Sequence, residues 1–462
     1  MFFRRCRIIA VFLVLLILPV LGIAKEAEPV KYIFLFIGDG FSIPQRMMAE
    51  EYLHKKGEPG LYLNTLPNQV LTTTRSADSF ITDSAASGTA IACGEKTKSG
   101  QLGVDVSGNR RLESVAEVAR DAGRKVGIIT SVTLNHATPA AFYGHNVSRG
   151  NGYALGLDLI ESGFDYFAGG GIDKQDDQKN KLYKGDIYKL APEHGYTVLH
   201  DPAAIENLKP GSGKIIACLK KGALPYAIDH EEGLRLVDYT KKGIELLDNP
   251  KGFFIMVEGG KIDWMCHAND AATVLREIFE FDQAVQAARD FMNAHPDDTL
   301  IAVTGDHETG GLTLGFAGTG YKSYIERLEY QKCSLDAFKV KLTALQNEKK
   351  NSFSFDDVKE LTSKYFGLDF AEKSQSPLAV SKEENEILRG AFEKSFKGKK
   401  TSATPYALGV LRVFDNKAGL GWTSTAHTAL PVDTSAVGKN ADVFNGMIDN
   451  TDIAKKLKPM VR

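Results

Sequence analysis

The chain has 462 residues, of which 43% are hydrophobic and 25% are charged, and its formal net charge is −2. This length can bury a large core, as one large domain or two ordinary ones. The mildly acidic balance excludes the basic field that nucleic-acid-binding proteins present, so we expect no specific nucleic-acid partner.

The first 24 residues differ in composition from the rest. Three arginines precede an apolar run of roughly 14 residues, which ends in the small-x-small sequence GIA at 22–24. The pattern predicts a secretory signal peptide over 1–24; the run is short for a membrane span, and an uncleaved anchor is the alternative. Cleavage would take the formal net charge from −2 to −5, because three arginines would be lost. We therefore expect an exported protein, periplasmic or extracellular, with no stable membrane insertion after cleavage.

Four apolar runs along the chain are rich in β-branched or aromatic residues, and each ends in polar residues. Such continuous runs are typical of strands buried on both faces of a parallel sheet. Helical patterns lie between them, at 112–123 and 273–294, so the order of elements predicts an α/β sandwich. The four runs begin KYIFLFIGDG at 31, RKVGIITS at 124, GFFIMVEGG at 252 and DTLIAVTGDH at 298.

The stretch ITDSAASGTA at 81–90 predicts a helix that begins with small residues. A helix that only packs would carry Leu, Ile or Phe at helical spacing. Small residues at its start leave backbone N–H groups open to a close neighbour, for which an anion is one candidate. A capped helix start in a tight core is the alternative.

Residues 316–405 form a region of different character. They carry charged amphipathic patterns, one of them opened by the capping-box sequence Ser381-Lys-Glu-Glu384, and they lack comparable apolar strands. We predict an insertion over 316–405, packed on or over the site, in a catalytic α/β domain made of 25–315 and 406–462.

Four carboxylates are expected at one edge of the predicted sheet: Asp39, Glu258, Asp263 and Asp306. Sites in such sheets lie beyond the carboxyl ends of the strands, so these side chains would share a cleft. Carboxylates gathered there repel one another and lose solvation, and cations are the natural compensation.

Three histidines accompany these carboxylates. His267 follows Asp263 by four residues on one helical face, His307 is adjacent to Asp306, and His427 lies in the sequence TAHT. Taken singly, such signals are also typical of a turn or of an i,i+4 helix pair. Together they predict a multinuclear metal site, because oxygen and imidazole donors without thiolate suit zinc, and an all-oxygen subset suits magnesium.

The cysteines give no competing metal or redox motif. Because the sequence contains no C-x-x-C, neither a thiolate zinc site nor a redox pair is indicated. Export would permit disulfides, and the sequence does not choose among the three possible pairings of the four cysteines beyond the signal peptide. These four are Cys93, Cys218, Cys266 and Cys333.

The chain resembles the metal-dependent alkaline phosphatases that use a serine nucleophile. The matching stretches occur in the family's order over about 32–430, apart from the insertion: IGDG, TDSAASGTA, GEKT, LGVD, NHATPAAFYGHNVSR, VEGGKIDWMCH, TGDHETGG and TAHT. The resemblance implies a three-layer α/β/α sandwich with a large, mostly parallel central sheet, assembled as a homodimer. It also implies hydrolysis of phosphate monoesters through a phosphoserine.

Roles carry over by resemblance to individual residues. Ser84 matches the nucleophile and Arg149 matches the guanidinium that grips the phosphate. His136 and Trp264 stand where some members carry Asp and Lys, which indicates a His/Trp subtype with both side chains beside the magnesium site. The ligands implied are Asp263, His267 and His427 for one zinc, Asp39, Asp306 and His307 for the second zinc, and Asp39, Thr138 and Glu258 for magnesium.

The sequence therefore predicts an exported alkaline phosphatase with two zinc ions and one magnesium ion. The nearest alternative is a relative specialised for diesters or sulfate esters, but Arg149 and the magnesium ligands favour a dianionic monoester. A third hypothesis is a metal- or phosphate-binding protein without catalysis, which would need no nucleophile such as Ser84.

Overall fold

The computed structural model describes residues 28–230, 232–398 and 401–462, so the predicted signal peptide over 1–24 lies outside the described residues. Within the described part, the strands are β1 (Tyr32–Gly38), β2 (Asn68–Thr73), β3 (Lys125–Thr130), β4 (Tyr166–Gly169), β5 (Tyr196–Leu199), β6 (Lys214–Cys218), β7 (Phe253–Gly259), β8 (Thr299–Gly305), β9 (Glu308–Thr309), β10 (Leu312–Thr313), β11 (Gly421–Trp422), β12 (His427–Thr428), β13 (Val432–Gly438) and β14 (Met447–Asp449).

The α-helices of the described residues connect these strands. They are α1 (Ile43–Lys56), α2 (Ser84–Cys93), α3 (Val115–Asp121), α4 (Ala137–Ala140), α5 (Gly152–Glu161), α6 (Ile187–Leu190), α7 (Pro202–Glu206), α8 (Leu236–Leu247), α9 (Lys261–His267), α10 (Ala271–Ala294), α11 (Leu335–Lys349), α12 (Phe355–Phe366), α13 (Lys382–Phe396), α14 (Thr404–Ala418) and α15 (Thr451–Val461).

Ten strands form one central sheet, in the order β14-β2-β13-β8-β1-β7-β3-β4-β6-β5. The neighbours pair in parallel, except that β13 runs antiparallel to both β8 and β2. The four strands predicted from the sequence are the neighbours β8-β1-β7-β3 at the centre of this sheet. Three of them are buried at every position, which explains their continuous apolar runs.

Helices cover both faces of the sheet, so the predicted three-layer α/β/α sandwich is confirmed. Along β1, Phe34 and Phe36 belong to one apolar core with α1, α8 and α10, while Ile33 and Leu35 belong to a second core with α2, α3, α5 and α15. This alternation follows from the two-residue period of a strand, since neighbouring side chains leave opposite faces.

The predicted helices are present. The pattern at 112–123 forms α3 with a capping box at Ser114, and the pattern at 273–294 forms most of α10. The capping box of Ser381 and Glu384 opens α13. Helices α11, α12 and α13 lie within the predicted insertion, and their apolar side chains join the core on the α10 side of the sheet. The domain boundaries at 315 and 406 stay a prediction.

The four cysteines beyond the signal peptide are free and buried, so the described residues contain no disulfide to choose among the pairings left open. In the same part of the chain, no helix has the length and apolar character needed to cross a membrane.

Candidate active site

Three neighbouring central strands, β8, β1 and β7, deliver most of the predicted ligands to one edge of the sheet. Asp39 directly follows β1, and Glu258 lies next to the last residue of β7. After β8, the chain places Asp306 and His307 in sequence, and α9, which follows β7, carries Asp263 and His267. Parallel strands that end side by side therefore bring these groups together from distant parts of the sequence.

Tight local turns hold the ligands at this edge. Gly40 has φ of 68°, donates its N–H to Asp306 Oδ1 at 3.0 Å, and lies so close to Asp263 that an added Cβ would come within 2.8 Å of its Cα. Only glycine combines that left-handed backbone with this close approach. His427 joins the edge because β12 pairs with β9, which sets His427 opposite Thr309.

Helix α2 explains the run of small residues at 81–90. Asp83 caps the helix by accepting a hydrogen bond from Ala86 N, and Ser84 is its first residue. All ten residues of α2 are buried, and a Cβ on Gly88 would lie 3.1 Å from Ala141 Cβ. The small residues thus allow tight packing beside α4, while the helix start brings the Ser84 hydroxyl to the carboxylates and histidines.

The first metal group consists of Asp263, His267 and His427. Nδ1 of His267 lies 2.7 Å from Thr425 O, and Nδ1 of His427 lies 2.8 Å from Thr82 O. Each Nδ1 therefore donates to a backbone carbonyl and leaves Nε2 as an acceptor. The two Nε2 atoms face each other at 3.2 Å, with Asp263 Oδ2 3.3 Å from His267 Nε2. Three acceptors at this spacing are suited to a shared cation such as zinc.

The second metal group consists of Asp39, Asp306 and His307. His307 Nε2 lies 3.3 Å from Asp39 Oδ1 and 3.3 Å from Asp306 Oδ2. The same nitrogen lies 3.3 Å from Ser84 Oγ, so the hydroxyl belongs to this cluster. All three ligand side chains are fully buried.

The third metal group consists of Asp39, His136 and Glu258. Asp39 Oδ1, His136 Nδ1 and Glu258 Oε1 are buried polar atoms without a hydrogen-bond partner. His136 Nδ1 lies 3.8 Å from Asp39 Oδ2 and 3.9 Å from Glu258 Oε1. Such orphaned atoms are rare in proteins. His136 Nδ1 and Glu258 Oε1 lie beside Asp39 Oδ2, and this arrangement fits a metal ion that would satisfy both orphaned atoms, whereas Asp39 Oδ1 faces His307 Nε2 of the second group.

The remaining predicted neighbours of this group lie close to it. The Thr138 hydroxyl is 3.5 Å from both Asp39 Oδ2 and Asp306 Oδ2, which places it between the second and third groups. The sequence analysis expected His136 beside the magnesium site, and the structure places its Nδ1 at the group itself. The Trp264 ring packs edge-on against His136, with centroids 6.1 Å apart.

The pKa shifts of the ligand side chains show that their charged forms are unfavourable in the second metal group when no cation is bound. Burial, reinforced by the charges of Asp306, Asp263 and Glu258, raises the pKa of Asp39 well above its usual range. Burial is also the main cause that raises the pKa of Asp306. It lowers the pKa of His307 well below its usual value, with the neighbouring His427 adding to the effect. In the first metal group, burial opposes ionisation of Asp263, but without a cation His267 can also be protonated at Nε2, and its hydrogen bond together with the charges of the histidines holds the pKa of Asp263 below its usual range.

Arg149 lies beside the Ser84 hydroxyl and the cap of α2. Its Nη1 lies 3.1 Å from Asp83 Oδ2 and 3.5 Å from Ser84 Oγ, and its Nη2 lies 3.2 Å from His136 Nε2. The Asp83 carboxylate, which also caps α2, therefore orients the guanidinium.

The comparisons with known proteins agree with this geometry. Residues 30–462 match the family model described as alkaline phosphatase. The chain is 31% identical over 452 residues to alkaline phosphatase 4 of Bacillus subtilis, covering 93% of this chain and 88% of that protein.

The chain belongs to the alkaline phosphatase family. Its fold is also similar to that of a solved cold-active alkaline phosphatase from a psychrophilic Shewanella, with a TM-score of 0.79, 27% identity, and coverage of 93% of this chain and 100% of the other. A solved TAB5 alkaline phosphatase has a TM-score of 0.65 and 25% identity, covering 94% of this chain and 99% of its own. That protein is a histidine-to-aspartate variant with magnesium bound in a site called M3. Members of this family are metal-dependent hydrolases of phosphate monoesters, and this chain is such an enzyme.

Two residues at the site of this alkaline phosphatase were missed by the sequence analysis. Asp83 anchors Arg149 as well as capping α2. The Thr309 hydroxyl lies 2.6 Å from Asp263 Oδ1 and 3.2 Å from His307 Nδ1, so it bridges the first and second metal groups. Asp83 lies inside the motif TDSAASGTA, and its place before Ser84 was the available signal. Thr309 lies inside the motif TGDHETGG, two residues after His307, and that position was the available signal.

Proposed function

We propose that the protein hydrolyses phosphate monoesters through a covalent phosphoserine at Ser84. One observation carries the proposal: Ser84 Oγ lies 3.3 Å from His307 Nε2 in the second metal group and 3.5 Å from Arg149 Nη1. The candidate nucleophile therefore lies beside both a set of metal ligands and a guanidinium that can bind phosphate.

The residues of the chain divide the reaction into two displacements. Ser84 Oγ gives up its proton to solvent and forms a bond to phosphorus as the bond to the alcohol oxygen breaks, and the alcohol leaves with a proton from solvent. Water then breaks the Ser84–phosphorus bond and releases inorganic phosphate. Zinc ions, when bound by the first two groups, supply the positive charge that stabilises the serine oxygen and the leaving oxygen. Arg149, aimed by Asp83, can hold two phosphoryl oxygens in a bidentate contact.

Substrate class is tested by comparing three esters of one aryl alcohol: the phosphate monoester, the phosphate diester and the sulfate ester. The mature protein, residues 25–462, is assayed at alkaline pH with and without a chelator. Fast, chelator-sensitive cleavage of the monoester supports the proposal. Preferential cleavage of the diester or the sulfate would assign the chain to a different specificity, and no cleavage after zinc and magnesium are restored would overturn the proposed activity.

For the cofactors, we propose zinc in the first and second metal groups and magnesium in the third. The first two groups join imidazole to carboxylate, which suits zinc. The oxygens of Asp39, Glu258 and Thr138 suit magnesium, but the imidazole of His136 faces the same space and favours softer ions. A TAB5 variant with aspartate in place of a histidine has magnesium bound in its M3 site, so a His-to-Asp exchange is a suitable test of this assignment.

His136→Asp is expected to raise the affinity for magnesium on the order of tenfold, because all donors of the third group would then be oxygens. The measurement is a magnesium titration of zinc-loaded protein, read by metal analysis after equilibrium dialysis as well as by activity. Trp264→Phe, which leaves the donors unchanged, serves as the matched control. Equal magnesium affinity in wild type and His136→Asp would contradict the assignment of His136 to this group.

We also propose that the protein is exported and forms a homodimer. Leu71 and Met447 are exposed neighbours in the register of β2 and the end strand β14, and Phe80 and Ile81 are exposed on the loop that follows β2. Large apolar side chains gathered at a sheet edge are typical of an interface. A second copy of the chain is the occupant that the family resemblance implies.

Replacing both Leu71 and Met447 with Glu is expected to convert the dimer to a monomer, because charged side chains would be forced into the interface. Sedimentation velocity of the mature protein measures the change. Val340→Glu, an exposed apolar position on α11, is the control and should leave the dimer intact. A monomeric wild type, or a double variant that stays dimeric, would count against this interface.

A further inference from the structure

Segment 423–428 carries one histidine of the first metal group and orients the other. His427 lies in this segment, and Thr425 O accepts the hydrogen bond from His267 Nδ1 at 2.7 Å. The ligands of the second metal group are fully buried, whereas Thr425 and Ala426 are exposed. The geometry of the first group therefore depends on how a solvent-exposed segment is held in place.

A short pairing connects this segment to its neighbour. Strand β12 has two residues and pairs antiparallel with β9, so that Thr428 lies opposite Glu308. Gly310 N adds a hydrogen bond to Ala426 O at 2.9 Å. Because a two-stranded pair is at best marginally stable by itself, side-chain bonds are needed to fix the position of His427.

Glu308 supplies such a bond from the interior. It is fully buried, and its two carboxylate oxygens accept four hydrogen bonds. Oε1 accepts from Gln45 Nε2 at 2.7 Å and from Leu312 N at 3.3 Å. Oε2 accepts from Gly311 N at 3.1 Å and from the Thr428 hydroxyl. Among the described residues, no Lys, Arg or His forms an ion pair with this carboxylate, so the four donors are what compensate its burial.

Gln45 connects Glu308 to a long helix. This buried side chain lies in the first turn of α1, where its Oε1 accepts from Ser42 N at 3.2 Å. Its Nε2 also donates to Thr309 O at 2.9 Å, and the Thr309 hydroxyl lies 2.6 Å from Asp263 Oδ1. The start of α1 is thereby connected both to Glu308 and to a ligand of the first metal group.

We propose that Glu308 is a positioning residue for the first metal group, because it holds His427 in place through the Thr428 hydroxyl. The proposal rests on the proposed zinc site and adds a residue that is not itself one of the proposed ligands. Removing a hydrogen-bond partner that orients a metal ligand typically lowers metal affinity about 10- to 100-fold. Loss of the bond between Glu308 and Thr428 should therefore weaken zinc binding in the first group.

Thr428→Val is expected to lower the zinc affinity of the first group about tenfold, because valine keeps the β-branched shape but cannot donate to Glu308. Thr428→Ser keeps the hydroxyl and should stay within about threefold of the wild type. The measurement is equilibrium dialysis of the metal-free mature protein against zinc buffered by a chelator. Thr362→Val is the matched control, since it removes a buried hydroxyl of α12 that lies 2.9 Å from the Tyr406 hydroxyl.

A double-variant cycle tests whether the effect acts through His427. His427→Asn defines the zinc that is lost with this ligand, and adding Thr428→Val to it should cause no further loss. Saturating zinc should restore kcat of Thr428→Val to within about twofold of the wild type, because every ligand is still present. Thermal unfolding with and without zinc gives a second readout: stabilisation by zinc should shrink in Thr428→Val but not in Thr362→Val.

Glu308→Gln tests the carboxylate itself. Whichever way the amide is turned, its nitrogen would face a backbone N–H, of Leu312 on one side or of Gly311 on the other, and that N–H would lose its acceptor. We therefore expect zinc affinity to fall by at least about tenfold, a loss no smaller than that in Thr428→Val.

The outcomes separate this proposal from the proposed function. If Thr428→Val and Glu308→Gln bind zinc as the wild type does, or if Thr428→Val removes further zinc from His427→Asn, the positioning role is overturned while the phosphatase activity stands. Zinc binding is measured without substrate, so a wild type that binds zinc but cleaves no monoester would overturn the phosphatase function alone. A wild type that binds no zinc would overturn the zinc assignment and this proposal with it.

Discussion

Ser84→Ala is expected to lower kcat for phosphate monoesters by at least about 10³-fold and to abolish the phosphorylated enzyme. The substitution removes the hydroxyl that lies 3.3 Å from His307 Nε2 and 3.5 Å from Arg149 Nη1. Metal ions and Arg149 would still bind phosphate, so we expect phosphate affinity to change far less than turnover. Acid-quenched protein is digested and analysed by mass spectrometry for a phosphoryl group on the peptide that contains Ser84.

The matched control is Ser79→Ala, an exposed serine on the loop before α2. It should retain wild-type turnover and a phosphorylated Ser84 peptide. A Ser84→Ala enzyme that keeps substantial turnover would show that water attacks the substrate directly. In that case, the metal groups and Arg149 could remain as assigned, but the covalent route would be wrong.

The central sheet was predictable because its strands are continuous apolar runs in the sequence. Burial on both faces demands apolar side chains at every position of β1, β7 and β8, and no helix pattern competes with such a run. Because the strands are parallel, the polar residues that follow them all lie at the carboxyl edge of the sheet. For this reason Asp39 and Asp306 could be predicted to converge although they are 267 positions apart in the sequence.

Contacts between side chains on different loops could not be predicted from the sequence. Asp83 anchors Arg149 across 66 positions, and no periodic pattern links the two. His136 could be placed near the third group, but the direction of its ring depends on how α4 packs against α2, which sequence spacing does not determine.

Asp39→Asn should cause the second large loss, because Asp39 belongs to both the second and the third metal group. We expect metal to be retained mainly in the first group and kcat/KM to fall by at least about 10³-fold, since the positive charge beside Ser84 would be lost. Glu258→Gln should affect the third group alone and therefore cost less. Metal analysis of dialysed protein measures occupancy, and Asp290→Asn, an exposed carboxylate in a surface ion pair, is the control.

Thermal stability gives this variant a signature that simple misfolding cannot imitate. Asp39 is fully buried beside Asp306, Asp263 and Glu258, so its charge is unfavourable unless cations are bound. With metals present, Asp39→Asn should therefore unfold at a lower temperature than the wild type. After exhaustive chelation at alkaline pH the order should reverse, because the variant lacks one of the repelling carboxylates. A variant less stable than the wild type under both conditions would mean that Asp39 supports the fold by contacts other than metal binding.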